Sequence, residues 1–349
     1  MINSQCPLLR GDSKEEGCPP KEEGLSTNSH PLPPFRACFH ASKRRRQLRF
    51  GMWSPQDRAW LCEVERRYEA FRYLRGGILR AACPPGPALS EGIPRIVHQI
   101  WLGPRPIPPQ CAAWMAGWRA LALQRRGPGY GQQPWQYRLW RDADVDALVP
   151  PLANRAALDA APNYGEKSDY VRYELLLRFG GLYVDVDFEC FCREDRNIRS
   201  LHRQCRFYAG LSATATVELN NGLIACTPGH PLMARIVGAL PSWRRRMARC
   251  AMASSGRSDA AEKDPTYTRT TAGAMDTISR SGPGHFTRVA LGALLELPSS
   301  DAEGVLLLPP SFFYPLPNDC RGISLGARRA CFARPESLAM HHWFASWQE

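Results

Sequence analysis

Gly180-Gly181-Leu182-Tyr183-Val184-Asp185-Val186-Asp187 is an apolar run that ends in two aspartates one residue apart. Side chains of a strand alternate between faces, so this reading puts Asp185 and Asp187 on one side, with Val184 and Val186 pointing into a core. Two adjacent carboxylates repel each other and are costly to dehydrate unless a cation lies between them or water bathes them. At the mouth of a buried strand, the pair therefore suits a hard divalent metal. Oxygen ligands favour Mg²⁺ or Mn²⁺, whose open coordination positions phosphates can fill. The plainer alternative is two solvated carboxylates at a strand end, and an Asp-X-Asp alone does not separate the two.

Working outward, the pattern from Glu166 to Phe179 predicts a helix that Gly180-Gly181 closes and that feeds directly into this strand. It carries Ser168, Asp169 and Arg172. Asp169 and Arg172 are three apart and share a face, which partly overlaps the apolar stripe of Val171, Leu175 and Leu176. One reading is a surface ion pair, which contributes roughly a few tenths of a kcal/mol. The other is an acid and a base flanking a polyol, one accepting from hydroxyls and the other donating to them.

Upstream, Ile96 to Trp101 reads as a buried strand bounded by Pro94 and Gly103. A helix near 110–124, a strand from Trp135 to Trp140 and a helix from Asp142 follow. Downstream, Asn221 to Cys226 reads as a strand and His230 to Leu240 as a helix. A polar loop spans about 252–266, then a helix covers 285–297 and a strand covers Val305 to Leu308. This alternation predicts an α/β fold with a mostly parallel, Rossmann-like sheet and helices on both faces. Ligands of such sheets bind at the carboxyl ends of the strands, where Asp185 and Asp187 fall.

The flanks divide the chain into three parts. Residues 1–53, rich in Pro, Gly, Ser, Lys and Glu, read as a flexible extension; 54–91 read as a helical segment and linker; and 92–349 read as the catalytic domain. The 349 residues suffice for a sizeable core, and 44% hydrophobic content with 10 Trp excludes a disordered chain. A formal charge of +12 permits an acidic partner: a nucleotide phosphate, a nucleic acid or an anionic membrane. The basic residues are scattered, however, apart from runs such as Lys43-Arg44-Arg45-Arg46 and Arg244-Arg245-Arg246, which suit solvated faces.

The thirteen cysteines include no Cys-X-X-Cys pair, against a zinc ribbon or a thioredoxin-type site. Cys190, Cys192, His202 and Cys205 lack a standard metal-site spacing, and Cys320 with Cys331 could form a bridge only in an oxidising compartment. No run of about 18 apolar residues exists, so no transmembrane helix is expected. The sequence as given reads as cytoplasmic, or as Golgi or endomembrane if its N-terminus is incomplete. Association with a membrane surface stays open.

At the far end stands Met340-His341-His342-Trp343-Phe344-Ala345-Ser346-Trp347. Alone, it fits an aromatic tail packed on the domain as well as it fits a ligand site. Together with Ile93 to Gly103, Lys167 to Glu174, the Gly180–Asp187 stretch, Ser281-Gly282-Pro283-Gly284 and Phe313-Tyr314-Pro315, it resembles a known family. These segments fall in the order found in sugar transferases with the Asp-X-Asp motif. That family includes Golgi initiating α-mannosyltransferases and inositol-phosphoceramide mannosyltransferases, and is distantly similar to glucosylating bacterial toxins. The resemblance covers about residues 92–349.

It implies an A-type glycosyltransferase fold and a retaining, nucleotide-sugar-dependent hexosyltransferase that uses Mn²⁺ or Mg²⁺. The hexose would be mannose, glucose or galactose, and the acceptor a hydroxyl of a glycan, glycolipid or protein; no nucleic-acid partner is expected. By the same resemblance, Asp187 would bind the metal directly and Asp185 would contact the ribose or the metal through water. Asp169 and Arg172 would hold the donor sugar, and Trp101 would stack on the base. His341, or its neighbour His342, would complete the metal shell. Ser346 and Trp347 would touch the diphosphate, and Asn220 or Asn221 would lie near the acceptor side of the sugar.

Two rivals are weaker. A phosphatase with an aspartate nucleophile also places Asp-X-Asp after an apolar strand, but usually wants Thr or Val next, where Phe188 and Glu189 stand. A basic nucleic-acid or membrane-surface binder rests on net charge alone and shows no recognised module.

Overall fold

The computed structural model describes residues 32–38, 55–74, 92–123, 134–191, 196–214, 217–240, 277–296 and 304–344. Among the described residues eight strands are formed: β1 Ile96–Ile100, β2 Gln136–Trp140, β3 Gly181–Val184, β4 Phe188–Cys190, β5 Phe207–Leu211, β6 Leu219–Cys226, β7 Val305–Leu308 and β8 Ala339–His341. Six make the central sheet in the order β2-β1-β3-β6-β5-β7, and β4 pairs with β8 in a small second sheet. The pairings β1–β2, β1–β3 and β5–β7 are parallel, whereas β6 is antiparallel to both its neighbours. The sheet is therefore mostly parallel, as expected, with one reversed strand. That reversal lets the short 212–218 connection join β5 to β6 without a crossover helix.

The flanking helices are α1 Pro55–Leu74, α2 Pro109–Leu123, α3 Tyr164–Phe179, α4 Arg196–Gln204 and α5 Pro283–Glu296, with a further helix over 231–240. Every residue of β3, β5, β6 and β7 is buried, as expected of strands covered on both sides. Buried polar groups in β1 are satisfied. His98, lowered to about 4 mainly by burial, is neutral. Its Nδ1 accepts from Trp140 Nε1 at 3.0 Å and its Nε2–H donates to the Gly180 carbonyl at 3.0 Å. This one ring joins β1, β2 and the end of α3.

The join between α3 and β3 positions the site. Asn163 caps α3 by accepting from the Glu166 N–H at 2.8 Å. Gly180 ends the helix at φ +61°, where an added Cβ would lie 2.6 Å from Pro228 Cδ. Gly181, expected to share the stop, is already the first residue of β3. A second correction concerns the aspartates. β3 ends at Val184, and Asp185, Val186 and Asp187 form a turn closed by the Phe188 N–H to the Asp185 carbonyl at 3.3 Å. Val184 enters the main core, while Val186 packs in a separate cluster with Cys111, Trp114 and Met115.

Residues 32–38, within the stretch read as an extension, lie on α1. Tyr68 Oη donates to the Pro33 carbonyl at 2.8 Å, and the Phe35 N–H donates to Glu69 Oε1 at 2.7 Å. α1 packs on β7 and α5, and Phe35, Val64 and Tyr68 belong to the main apolar cluster. The rest of 1–53, the Pro84–Gly92 linker except Gly92, and the polar loop 252–266 lie outside the described residues. Cys320 and Cys331 do not bridge each other, and His202 is tied to the Ile93 carbonyl and Tyr208. No helix of the described residues is long and apolar enough to cross a membrane.

Candidate metal and donor-sugar site

Backbone pairing brings the carboxylates together. The Asp185 N–H donates to the Gly222 carbonyl at 2.8 Å, extending the β3–β6 ladder by one step. After the turn, β4 pairs antiparallel with β8, which sets Phe188 opposite His341. Sequence positions some 154 apart thus meet: His341 Nε2 lies 3.1 Å from Asp187 Oδ2. The same oxygen accepts the Phe344 N–H at 2.9 Å, and the Asp187 carbonyl accepts the His342 N–H at 3.0 Å.

Alternation along β8 and beyond decides between the two histidines. The His341 ring stacks on Phe188 at 4.5 Å and touches Trp343 at 4.2 Å. His342 stacks instead on Trp114 at 4.1 Å, with Nε2 3.2 Å from Glu189 Oε2 and Nδ1 facing Arg328 Nη1 at 3.1 Å.

Asp185, Asp187 and His341 offer one ligand atom each, all within 4.8 Å of one another. Burial works to raise Asp187, but His341 and the Phe344 N–H outweigh it and hold the carboxyl below its ordinary value. Asp185 stands above its ordinary value, pushed by burial and by the charge of Asp187 against the pull of Arg172. His341 Nδ1 is buried without a hydrogen-bond partner among the described residues. Two unequal carboxylates and an imidazole in this spacing fit a hard divalent cation. Gly222 leaves room beside Asp185, since a Cβ there would stand 2.7 Å from Asp185 Oδ2 and 3.0 Å from Asn220 Oδ1.

Asp169 and Arg172 are both about 5% exposed, which overturns the surface-pair reading. Arg172 Nη2 lies 3.2 Å from Asp169 Oδ1, and Nη1 lies 3.1 Å from Asp185 Oδ1. Arg172 also donates to the Asn221 carbonyl at 2.9 Å and to Ser168 Oγ at 3.1 Å, and sits 4.5 Å from the Tyr183 ring. Burial alone would lower its pKa, but Asp185, Tyr183 and Asp169 push it above the ordinary value, so it stays charged. Asp169 accepts from Asn221 Nδ2 at 2.8 Å and from Ser281 Oγ at 2.8 Å. Burial raises it to about 6, despite Arg172.

The remaining expected residues separate. Asn221 belongs to the Asp169 network, whereas Asn220 Oδ1 accepts the Gly222 N–H at 2.8 Å and shapes the turn beside Asp185. Trp101 follows β1, half-buried, with its indole N–H donated to the Arg105 carbonyl at 2.7 Å and its ring against the Trp114 and Val186 cluster. Ser346 and Trp347 lie outside the described residues.

The sequence reading missed Tyr183, whose hydroxyl donates to Asp185 Oδ1 at 2.5 Å. It also missed Tyr173, which accepts from Asn221 at 2.9 Å, and gave Ser281 and Gly222 no role. Period-two spacing already put Tyr183 on the face of Asp185. Nothing local announces Ser281.

Residues 134–204, which include Asp169, Arg172 and both aspartates, match the family described as "Glycosyltransferase sugar-binding region containing DXD motif". Among similar curated proteins is inositol phosphoceramide mannosyltransferase 1 of Schizosaccharomyces pombe, 25% identical over 162 residues, covering 46% of this chain and 46% of that protein. Another is the mannosyl phosphorylinositol ceramide synthase SUR1 of Saccharomyces cerevisiae, 29% identical over 165 residues, covering 46% and 37%. The chain thus spans under half the length of these relatives. Among solved structures, the UDP-bound glycosyltransferase domain of the YGT toxin aligns at TM-score 0.44 with 11% identity, covering 74% of this chain and 83% of that one. The expected resemblance is borne out over residues 134–204, which match the sugar-binding region of the DXD glycosyltransferases.

Proposed function

We propose that this chain, through its DXD-type glycosyltransferase region, moves a hexose from a nucleotide-sugar to a hydroxyl acceptor, with retention at the anomeric carbon and with Mn²⁺ or Mg²⁺. The observation that carries the reading is one convergence. Asp185, Asp187 and His341 meet within 4.8 Å beside the buried Asp169–Arg172 pair, at the carboxyl end of β3. A divalent ion held by Asp185, Asp187 and His341 would supply neutralisation of the charge that builds on a departing diphosphate.

The chain's own residues divide the remaining work. Asp169, fixed by Asn221 and Ser281, accepts from sugar hydroxyls. Arg172 serves as counter-ion to Asp169 and Asp185 and keeps both carboxylates in register, its donors being engaged within the protein. Trp101 offers a flat apolar surface for a base. Retention by front-face attack, assisted by the leaving phosphate, fits the site better than a covalent glycosyl-enzyme. The carboxylates near the strand ends are engaged: Asp169, Asp185 and Asp187 as above, and Glu218 by Ser212 Oγ at 2.5 Å. The relatives' names make an inositol-bearing glycolipid the acceptor class to test first; mannose, glucose and galactose are the donor sugars to compare.

A thermal-shift screen of nucleotide-sugars with and without Mn²⁺ tests this, because a ligand that binds the folded state raises its melting temperature. At least one donor should stabilise the protein in Mn²⁺ and not in EDTA. Stabilisation by none of the donors, or equal stabilisation in EDTA, contradicts the reading.

A further inference from the structure

One face of α3 is stitched to residues 277–281, the segment that leads into α5. Asn163 Nδ2 donates to Thr277 Oγ1 at 2.9 Å, Arg280 Nη2 to Glu166 Oε2 at 2.8 Å, and Ser281 Oγ to Asp169 Oδ2 at 2.8 Å. Asn163, Glu166 and Asp169 recur every third residue, so they stand in one row along the helix. The middle stitch is unusual. The Glu166 side chain is 1% exposed and that of Arg280 23%, and Glu166 Oε1 has no hydrogen-bond partner among the described residues. A buried carboxylate is expensive to keep, and its ion pair offsets that cost only where the geometry is good. Here the partner is the residue next to Ser281, and Ser281 holds the acid assigned above to the donor sugar.

We propose that the Glu166–Arg280 ion pair is a positioning device: it sets Ser281 against Asp169 and so tunes how tightly the site grips the sugar part of the donor. This rests on the donor-sugar role given to Asp169. The pair touches none of Asp185, Asp187, His341 and Trp101, so its influence falls on the sugar and not on the nucleotide. The geometry explains why two charges occur where Thr277 and Ser281 use neutral hydroxyls. A bond between two charged groups is stronger than one between neutral groups, and this one ties down the residue immediately before Ser281.

The test compares wild type with Glu166→Gln and with Arg280→Gln, the latter altering the more exposed partner in case the first fails to fold. Two measurements are made in Mn²⁺: hydrogen exchange of the Ser281 and Gly282 amides, which both donate to the Thr277 carbonyl, and the affinities of a nucleotide-sugar and of the matching nucleoside diphosphate. Loss of a charged hydrogen bond predicts exchange roughly tenfold faster or more at these amides. The nucleotide-sugar should bind roughly tenfold more weakly, while the diphosphate stays within about twofold of wild type. Arg280→Lys, which keeps the charge, should recover part of the loss.

Exchange that does not change overturns the proposal, because the pair then positions nothing. Faster exchange with both ligands weakened equally, or neither weakened, also overturns it and leaves the pair a general structural brace. If wild-type protein binds neither ligand, the donor-sugar role of Asp169 falls instead, and the positioning of Ser281 is judged on exchange alone.

Discussion

Replacing Arg172 by Gln removes the cation shared by the buried Asp169 and the partly exposed Asp185. The guanidinium lies 3.2 Å from Asp169 and 3.1 Å from Asp185, with a side-chain exposure of 6%. Deleting one partner of a buried pair costs about 3–5 kcal/mol, because the other partner is left charged and dry. The Asn221 carbonyl also loses its 2.9 Å donor, a loss that overlaps with the first instead of adding to it.

At about 2–4 °C per kcal/mol, the melting temperature in EDTA should fall by roughly 6–20 °C. Without Arg172, Asp169 and Asp185 rise still further above their unfolded values. A raised folded pKa gives stability that is present at low pH and is lost as pH rises through it. The variant should therefore be closest to wild type near pH 5 and furthest from it near pH 8. Mn²⁺ should restore more stability to Arg172→Gln than it adds to wild type, because it supplies the missing positive charge beside Asp185. Calorimetry or dye-based melting at three pH values, with and without Mn²⁺, measures all of this. A loss below about 1 kcal/mol, the range of exposed pairs, would refute the reasoning.

Gly222→Ala should cost about 1–3 kcal/mol by overpacking against Asp185 Oδ2, Asn220 and Phe188, and should weaken Mn²⁺ binding more than it lowers the melting temperature; titration of Mn²⁺ checks this. His341→Ala should abolish Mn²⁺-dependent stabilisation, whereas His342→Ala should keep it while losing the Trp114 stack, so metal titrations of the pair separate ligand from neighbour. Asp169, at about 6, is protonated in acid, so nucleotide-sugar affinity should increase from pH 5 to 7, and Asp169→Asn should flatten that rise.

Most of the frame was legible in the sequence. β1, β2, β7, α2, α3 and α5 fall within two residues of the expected ranges, because their apolar periodicity is strong and Pro or Gly bounds them. The elements that were missed are weak locally. β4 and β8 have three residues each, and α4 buries the polar Ser200 and His202 beside Ile198 and Leu201, so it shows no clean apolar stripe. β5 hides behind Gly210, which breaks its apolar run.

The aspartates were found for a partly wrong reason. They converge because a turn reverses the chain after Val184, not because a strand continues. Asp169 and Arg172 were legible as a pair, but not as buried, since their burial depends on Asn221 and Ser281 from distant elements. Period two could have found Tyr183. Only the β4–β8 pairing distinguishes His341 from His342, and that is a tertiary fact.

The most direct test of the account is turnover of a radiolabelled nucleotide-sugar by purified protein in Mn²⁺, in parallel with Asp187→Asn and with EDTA. Wild type should release or transfer sugar in Mn²⁺ and not in EDTA, and an Asp187→Asn protein that melts within a few degrees of wild type should do neither. Metal-independent turnover, or a fully active Asp187→Asn, would contradict it.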